Sequence, residues 1–171
     1  MSVEGLKVVI TAFDELIDTI DIRDPTYKAI SVVQEAAKGN VRVKTGELRG
    51  SIYTDVQGSE QHAMGTCYTN KAYAIYVEFG TGPNGEKEHA GISPNVAVAY
   101  RQTGWMIPAS AMSEAEAREY GFGIAKDGDL VIGYYTKGQP ARPYLYPAAA
   151  DHVDEITNEY EQYVKKKVSE L

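Results

Sequence analysis

The stretch Lys137-Gly138-Gln139-Pro140-Ala141-Arg142-Pro143-Tyr144-Leu145-Tyr146-Pro147-Ala148 decides how the rest of the chain is read. Gly138, Pro140 and Pro143 fix its backbone, and Arg142 stands as a charge among small and aromatic residues. Pro143 holds the residue before it in an extended or polyproline conformation. Pro147 suits the first turn of a helix, where its missing N–H leaves no bond unmade. The stretch therefore reads as a rigid elbow that aims a helix and presents an arginine and two tyrosines. By itself it is equally a stiff loop before a helix. It holds no catalytic constellation.

Downstream, Ala149, Val153, Ile156, Tyr160, Val164 and Val168 keep a helical rhythm to the end of the chain. Asp151, Asp154 and Glu155 come early and Lys165, Lys166 and Lys167 late, a polarity that matches the helix dipole. One continuous helix of this length would span roughly 35 Å at 1.5 Å per residue.

Upstream, the partner of the elbow is Tyr73-Ala74-Ile75-Tyr76-Val77-Glu78-Phe79-Gly80-Thr81-Gly82, an apolar run with one carboxylate that stops at two glycines and Pro83. A phosphate loop is ruled out, because Glu86 and Lys87 follow Gly85 where lysine and then a hydroxyl residue are required. The glycines read as a structural turn that lets another backbone approach. Glu78 and Arg142 are expected to lie close, with the two rigid motifs converging on one edge of the sheet. The alternative is that Glu78 caps a turn and Arg142 binds backbone carbonyls.

The N-terminal half supplies the remaining elements. Leu6, Val9, Ile10, Phe13, Leu16, Ile17 and Ile20 fall on one face of an amphipathic helix. Asp24-Pro25 reads as the cap and first position of a second helix, with Ile30, Val33, Ala37 and Val41 on its inner face. The short link at residues 21–23 predicts that the two helices pack as neighbours. Thr45-Gly46-Glu47-Leu48-Arg49 turns the chain into a strand, where Ile52, Thr54 and Val56 alternate with Tyr53 and Asp55. A turn over residues 58–61 and a returning strand over residues 64–69 complete a hairpin. Residues 84–136 read as a long excursion within one domain spanning 1–171. It holds a short strand at residues 104–107, a stretch at residues 113–120 that reads as a capped helical piece or else as a mobile surface loop, and a hairpin turning at Asp127-Gly128-Asp129.

Composition narrows the function. The net charge of −7 argues against a surface that wraps nucleic acid, which needs concentrated Lys and Arg. Arg42, Lys44 and Arg49 form a small basic cluster that is best read as a solvated face. The single cysteine, Cys67, excludes an intrachain disulfide and reads as a small buried hydrophobe. His62, His89 and His152 lack ligand spacing to each other or to Cys67, and no catalytic motif is present. The start of the chain lacks the apolar run of a secretory leader, so an intracellular, reducing setting is expected. Thirteen tyrosines against three phenylalanines favour surfaces where a ring is buried and its hydroxyl stays wet, as at protein interfaces.

Three stretches in order carry a resemblance: Lys44-Thr45-Gly46-Glu47-Leu48-Arg49-Gly50-Ser51-Ile52, the run from Tyr73 to Gly82, and Gly138-Gln139-Pro140-Ala141-Arg142-Pro143-Tyr144-Leu145. Together they resemble the lambda-like minor tail-component family of long-tailed bacteriophages and prophages, which includes tail-completion and tail-to-head joining proteins. The resemblance covers nearly the whole chain except the excursion. It departs from the family's pattern at Arg42-Val43-Lys44, where proline is frequent, and at Tyr144, where phenylalanine is usual.

The resemblance implies an α/β (α+β) fold with a small mixed or antiparallel sheet, two N-terminal helices and a long C-terminal helix. It further implies a non-enzymatic virion protein without cofactor that forms a homo-oligomeric, hexameric ring at the head-proximal end of the tail. The implied partners are a tail-tube or tail-terminator protein and a head-connector protein, with DNA passing through without specific binding and no membrane involved. Assembly would take place in the host cytoplasm. The residues implied for the interface, or for the motifs that support it, are Thr45, Gly46, Leu48 and Arg49; Tyr76, Glu78, Phe79, Gly80 and Gly82; and Gln139, Pro140, Arg142, Pro143 and Tyr144. The rival readings are a head-closure or capsid-associated protein and, from the basic cluster alone, a nucleic-acid-binding module.

Overall fold

The computed structural model describes residues 3–42 and 45–170. Lys44 of the basic cluster, and the side chain of Leu6, lie outside what is described. In chain order the elements are α1 (Val3–Thr19), α2 (Arg23–Asn40), α3 (Glu47–Gly50), β1 (Ile52–Gly58), β2 (Ala63–Thr69), α4 (Ala74–Phe79), α5 (Gly82–Lys87), β3 (Trp105–Pro108), α6 (Glu114–Glu119), β4 (Gly123–Asp127), β5 (Leu130–Thr136), α7 (Leu145–Ala150) and α8 (Val153–Ser169). The chain divides into two compact units, residues 1–71 with 144–171, and residues 72–143.

The first unit is built on α2. Ala29, Val33 and Ala37, each one turn apart, are buried along one stripe, with Pro25 and Thr26 continuing it at the start of the helix. Small residues there let other elements come close. A Cβ on Gly65 of β2 would already meet Ile30 Cβ at 3.1 Å and Thr26 Cγ2 at 3.2 Å. α2 packs against β1, β2, α7 and α8, whereas α1 touches α8. α8 docks on the link between the two helices and on α2: its Tyr163 hydroxyl accepts from Asp21 N–H at 2.9 Å and its Tyr160 hydroxyl lies 2.9 Å from Thr26 Oγ1.

α2 begins two residues earlier than Asp24-Pro25 suggests, because the Asp21 carboxylate takes the Arg23 N–H at 3.0 Å. β1 and β2 form an antiparallel hairpin with Ile52 opposite Thr69 and Gly58 opposite Ala63. Its outward face pairs Tyr53 with Tyr68, ring centres 6.0 Å apart. The C-terminal helix is two helices, broken at Asp151 and His152. Asp151 N–H still bonds Pro147 O and Ile156 N–H bonds His152 O, so the apolar rhythm runs on across the break.

The second unit holds its own sheet, order β3–β5–β4, antiparallel throughout, with an irregularity between Ala125 and Lys126. The fold is therefore α+β, as expected, but with two small antiparallel sheets in place of one. The excursion carries three strands that pair with one another, so they need no place on the first hairpin. Tyr134, Thr136 and Ala117 are buried here, and Ser113 caps α6 through the reciprocal bonds with Glu116 that Ser-x-x-Glu predicts.

Candidate functional site

The second unit is where two of the three sequence motifs meet. Residues 137–142 lie along the α4–α5 turn and are bonded to it on both sides of Pro140. Thr81 N–H donates to Gln139 O at 2.9 Å, Asn84 N–H to Lys137 O at 3.1 Å and Arg142 N–H to Val77 O at 2.8 Å. Ala141 N–H reaches Glu88 O at 2.8 Å just past α5. Side chains add to the strap: Gln139 Nε2 donates to Tyr76 O at 2.7 Å, and Asn84 Nδ2 to Gly138 O at 3.0 Å. Six bonds across so short a segment leave the elbow little freedom, since each bonded group would lose a partner if it moved.

Glycine makes this approach possible. Gly80 adopts φ +73°, and a Cβ there would lie 2.6 Å from Ala141 N and 2.8 Å from Gln139 O. Gly82, at φ +58°, would meet Lys137 O at 2.7 Å. The spacing of Gly80 and Gly82 therefore reflects the passage of a second chain segment, as the structural-turn reading requires. The convergence does not occur on a sheet edge. Residues 74–79 are helical, and the elbow straps two short helices. Thr81 and Asn84 belong to the site but were not singled out from sequence. The signal was Thr81 itself, a hydroxyl residue set between two glycines, whose Oγ1 accepts Gln139 N–H at 3.1 Å.

The first motif lies in the other unit and knits a corner. Gly46, at φ +79°, leads into α3, and Leu48 is buried. Ser51 Oγ donates to Leu48 O at 2.8 Å and sits 2.7 Å from Thr69 Oγ1, joining α3 to the hairpin. Ile52 is fully buried, and its carbonyl accepts from Gln34 Nε2 of α2 at 2.8 Å. Thr45 and Arg49 are exposed.

The named residues thus fall into two groups. Leu48, Glu78, Gly80, Gly82 and Tyr144 are buried, and Gly46, Phe79, Pro140 and Pro143 are half-buried. Thr45, Arg49, Tyr76, Gln139 and Arg142 are exposed. Tyr144 is 1 % exposed and its carbonyl accepts from Asn40 Nδ2 of α2 at 3.3 Å, which gives it a structural part. An exposed contact from the elbow falls to Arg142 and Gln139.

Beside the strap runs an open groove of about 830 Å³, lined by Tyr73, Ile75, Tyr76, residues 96–101, Trp105 and Gln139. The Tyr100 hydroxyl donates to Phe79 O at 2.8 Å, and burial, with Glu86 nearby, pushes its pKa up. The Arg101 guanidinium lies 5.8 Å from the centre of the Trp105 ring. Among the described residues there is no cluster of three His, Cys, Asp or Glu that could hold a metal ion, and no helix long and apolar enough to cross a membrane.

Residues 13–80 match the family described as "Bacteriophage HK97-gp10, putative tail-component". Over these residues the chain is similar to a phage tail-component family. The matched segment runs from the middle of α1 to Gly80, so it takes in the α3 corner and α4 of the tail-component motifs and stops short of the elbow. Comparison with curated proteins and with solved structures gives no match.

Proposed function

We propose that this chain is a phage tail component and a non-enzymatic building block of the tail-to-head joint, where identical copies, six by resemblance, close into a ring against the tail tube and the head connector. The observation that carries this reading is the strap. A joint between rotationally repeated partners requires a heterologous interface that closes on itself, and closure needs each copy to present its contacts at a fixed angle. The bonds from residues 137–142 to the α4–α5 turn hold Tyr76, Gln139 and Arg142 on one frame. Arginine and aromatic residues dominate binding energy at such contacts. The net charge of −7 suits a channel through which DNA passes without sticking.

The test is a reconstruction of assembled phage tail ends. A symmetric ring of this chain at the head-proximal end is the expected result. Its absence there, or its presence as one asymmetric copy, overturns the reading.

A further inference from the structure

Two apolar surfaces of this chain are left open, and they are complementary. On α1, Val9, Ile10, Phe13 and Ile17 are 45 %, 51 %, 58 % and 58 % exposed, while Leu16 beside them is buried. At 100° per residue these side chains share one arc of the helix, Asp14 borders it beside Ile10, and Asp18 stands one turn further along the same side. The groove of the second unit is the concave counterpart. Ile75, Tyr76 and Val96 are exposed along it, Trp105 is half-buried within it, and Arg101 stands on its wall. Contiguous apolar surface of this kind marks an interaction site, unlike apolar residues scattered singly.

We propose that α1 of one copy lays its Val9–Phe13–Ile17 stripe into the Ile75–Tyr76–Trp105 groove of the next copy, with Asp14 and Asp18 facing Arg101. An amphipathic helix in an apolar groove is a recurring mode of recognition. The occupant is a second copy because the matching helix belongs to this chain and carries carboxylates where the groove carries a guanidinium. The donor and acceptor surfaces differ, so the contact is head-to-tail, the type that closes into a ring when the rotation allows. The proposal rests on the ring reading and names the contact that builds the ring.

The experiment uses full-length protein with Cys67→Ser as background. Phe13→Cys and Ile75→Cys chains are mixed at high concentration and mildly oxidised. A covalent dimer from the mixture, far above that from either chain alone, is expected, and a chain carrying both substitutions gives a ladder of multimers. Asp14→Arg alone and Arg101→Asp alone each lower the yield about tenfold, and the two exchanged together restore it. No dimer from the mixture, a double variant that closes only within its own chain, or yields indifferent to charge overturns the proposal. A ring in the reconstruction without this cross-link overturns the contact and leaves the ring reading standing.

Discussion

Gly138 lies directly against the carbonyl of Thr81, at φ +86°, in space that any Cβ would have to share with that oxygen. The same two segments are bonded in both directions, through Thr81 N–H to Gln139 O and Gln139 N–H to Thr81 Oγ1. Gly138→Ala therefore forces a side chain into a left-handed conformation and into backbone at once. The expected loss is on the order of 2–4 kcal/mol, combining left-handed strain with overpacking. Gly128 is the control. It has φ +57° but open space around it, so Gly128→Ala costs only the strain, about 1–2 kcal/mol. Urea unfolding of both variants checks this, and equal losses would contradict the close approach.

Asp21 is expected to make α2 sensitive to acid. Its carboxylate takes Arg23 N–H at 3.0 Å and pairs with the Arg23 guanidinium, which holds its pKa below the ordinary 3.8. A lowered pKa means the charged form is the one the fold favours. The contribution is whole above the ordinary value and disappears as pH falls through the lower folded one. Both side chains are partly exposed, so the effect is small and screened by salt. Circular dichroism across an acid titration should show a step that Asp21→Asn removes.

Cys67 should react slowly. It lies on the half-buried face of β2, and burial pushes its thiol above the ordinary 9.0. The thiolate is the reacting form, so at neutral pH labelling by a disulfide reagent should run well below the rate in urea. Equal rates in the folded and unfolded states would place the thiol in open solvent. Stability should also fall as pH rises past the ordinary value, because the folded thiol resists ionising.

Periodicity made the hairpins and long helices readable, because Ile52, Thr54 and Val56 or Ala29, Val33 and Ala37 each bury one face of one element. It failed where elements run to fewer than two turns, too short for an apolar spacing to repeat. Helices α4 and α5 have six residues each, and their identity depends on bonds from residues 137–142, far along the chain. The break at Asp151 and His152 was hidden because the apolar spacing continues through it, with Ala148 and Ile156 on either side. The start of α2 moved ahead of Asp24 because Asp21, one residue before the Ile22 cap position, takes the Arg23 N–H, and Ile22 itself makes no side-chain cap bond. At the candidate site, glycine and proline told of close approach but not of its target.

The elbow offers the sharpest separation of folding from assembly. Arg142 and Tyr144 are two residues apart, yet Arg142 is exposed and Tyr144 is 1 % exposed. The Arg142 backbone is held through its N–H to Val77 O, a bond that a substitution at the side chain leaves in place. Arg142→Ala should therefore unfold within about 0.5 kcal/mol of the parent, as surface substitutions do. Tyr144→Ala removes a buried ring and leaves a cavity, with an expected loss of about 3–5 kcal/mol. In phage assembly the two variants should fail differently. Arg142→Ala should give soluble, folded protein that attaches poorly to tails, while Tyr144→Ala should give little folded protein to attach. The measurements are urea unfolding of each purified variant and the fraction of tails carrying the protein after complementation. Normal attachment of Arg142→Ala would remove that side chain from the interface, and a large loss of its stability would show that the guanidinium serves the fold instead.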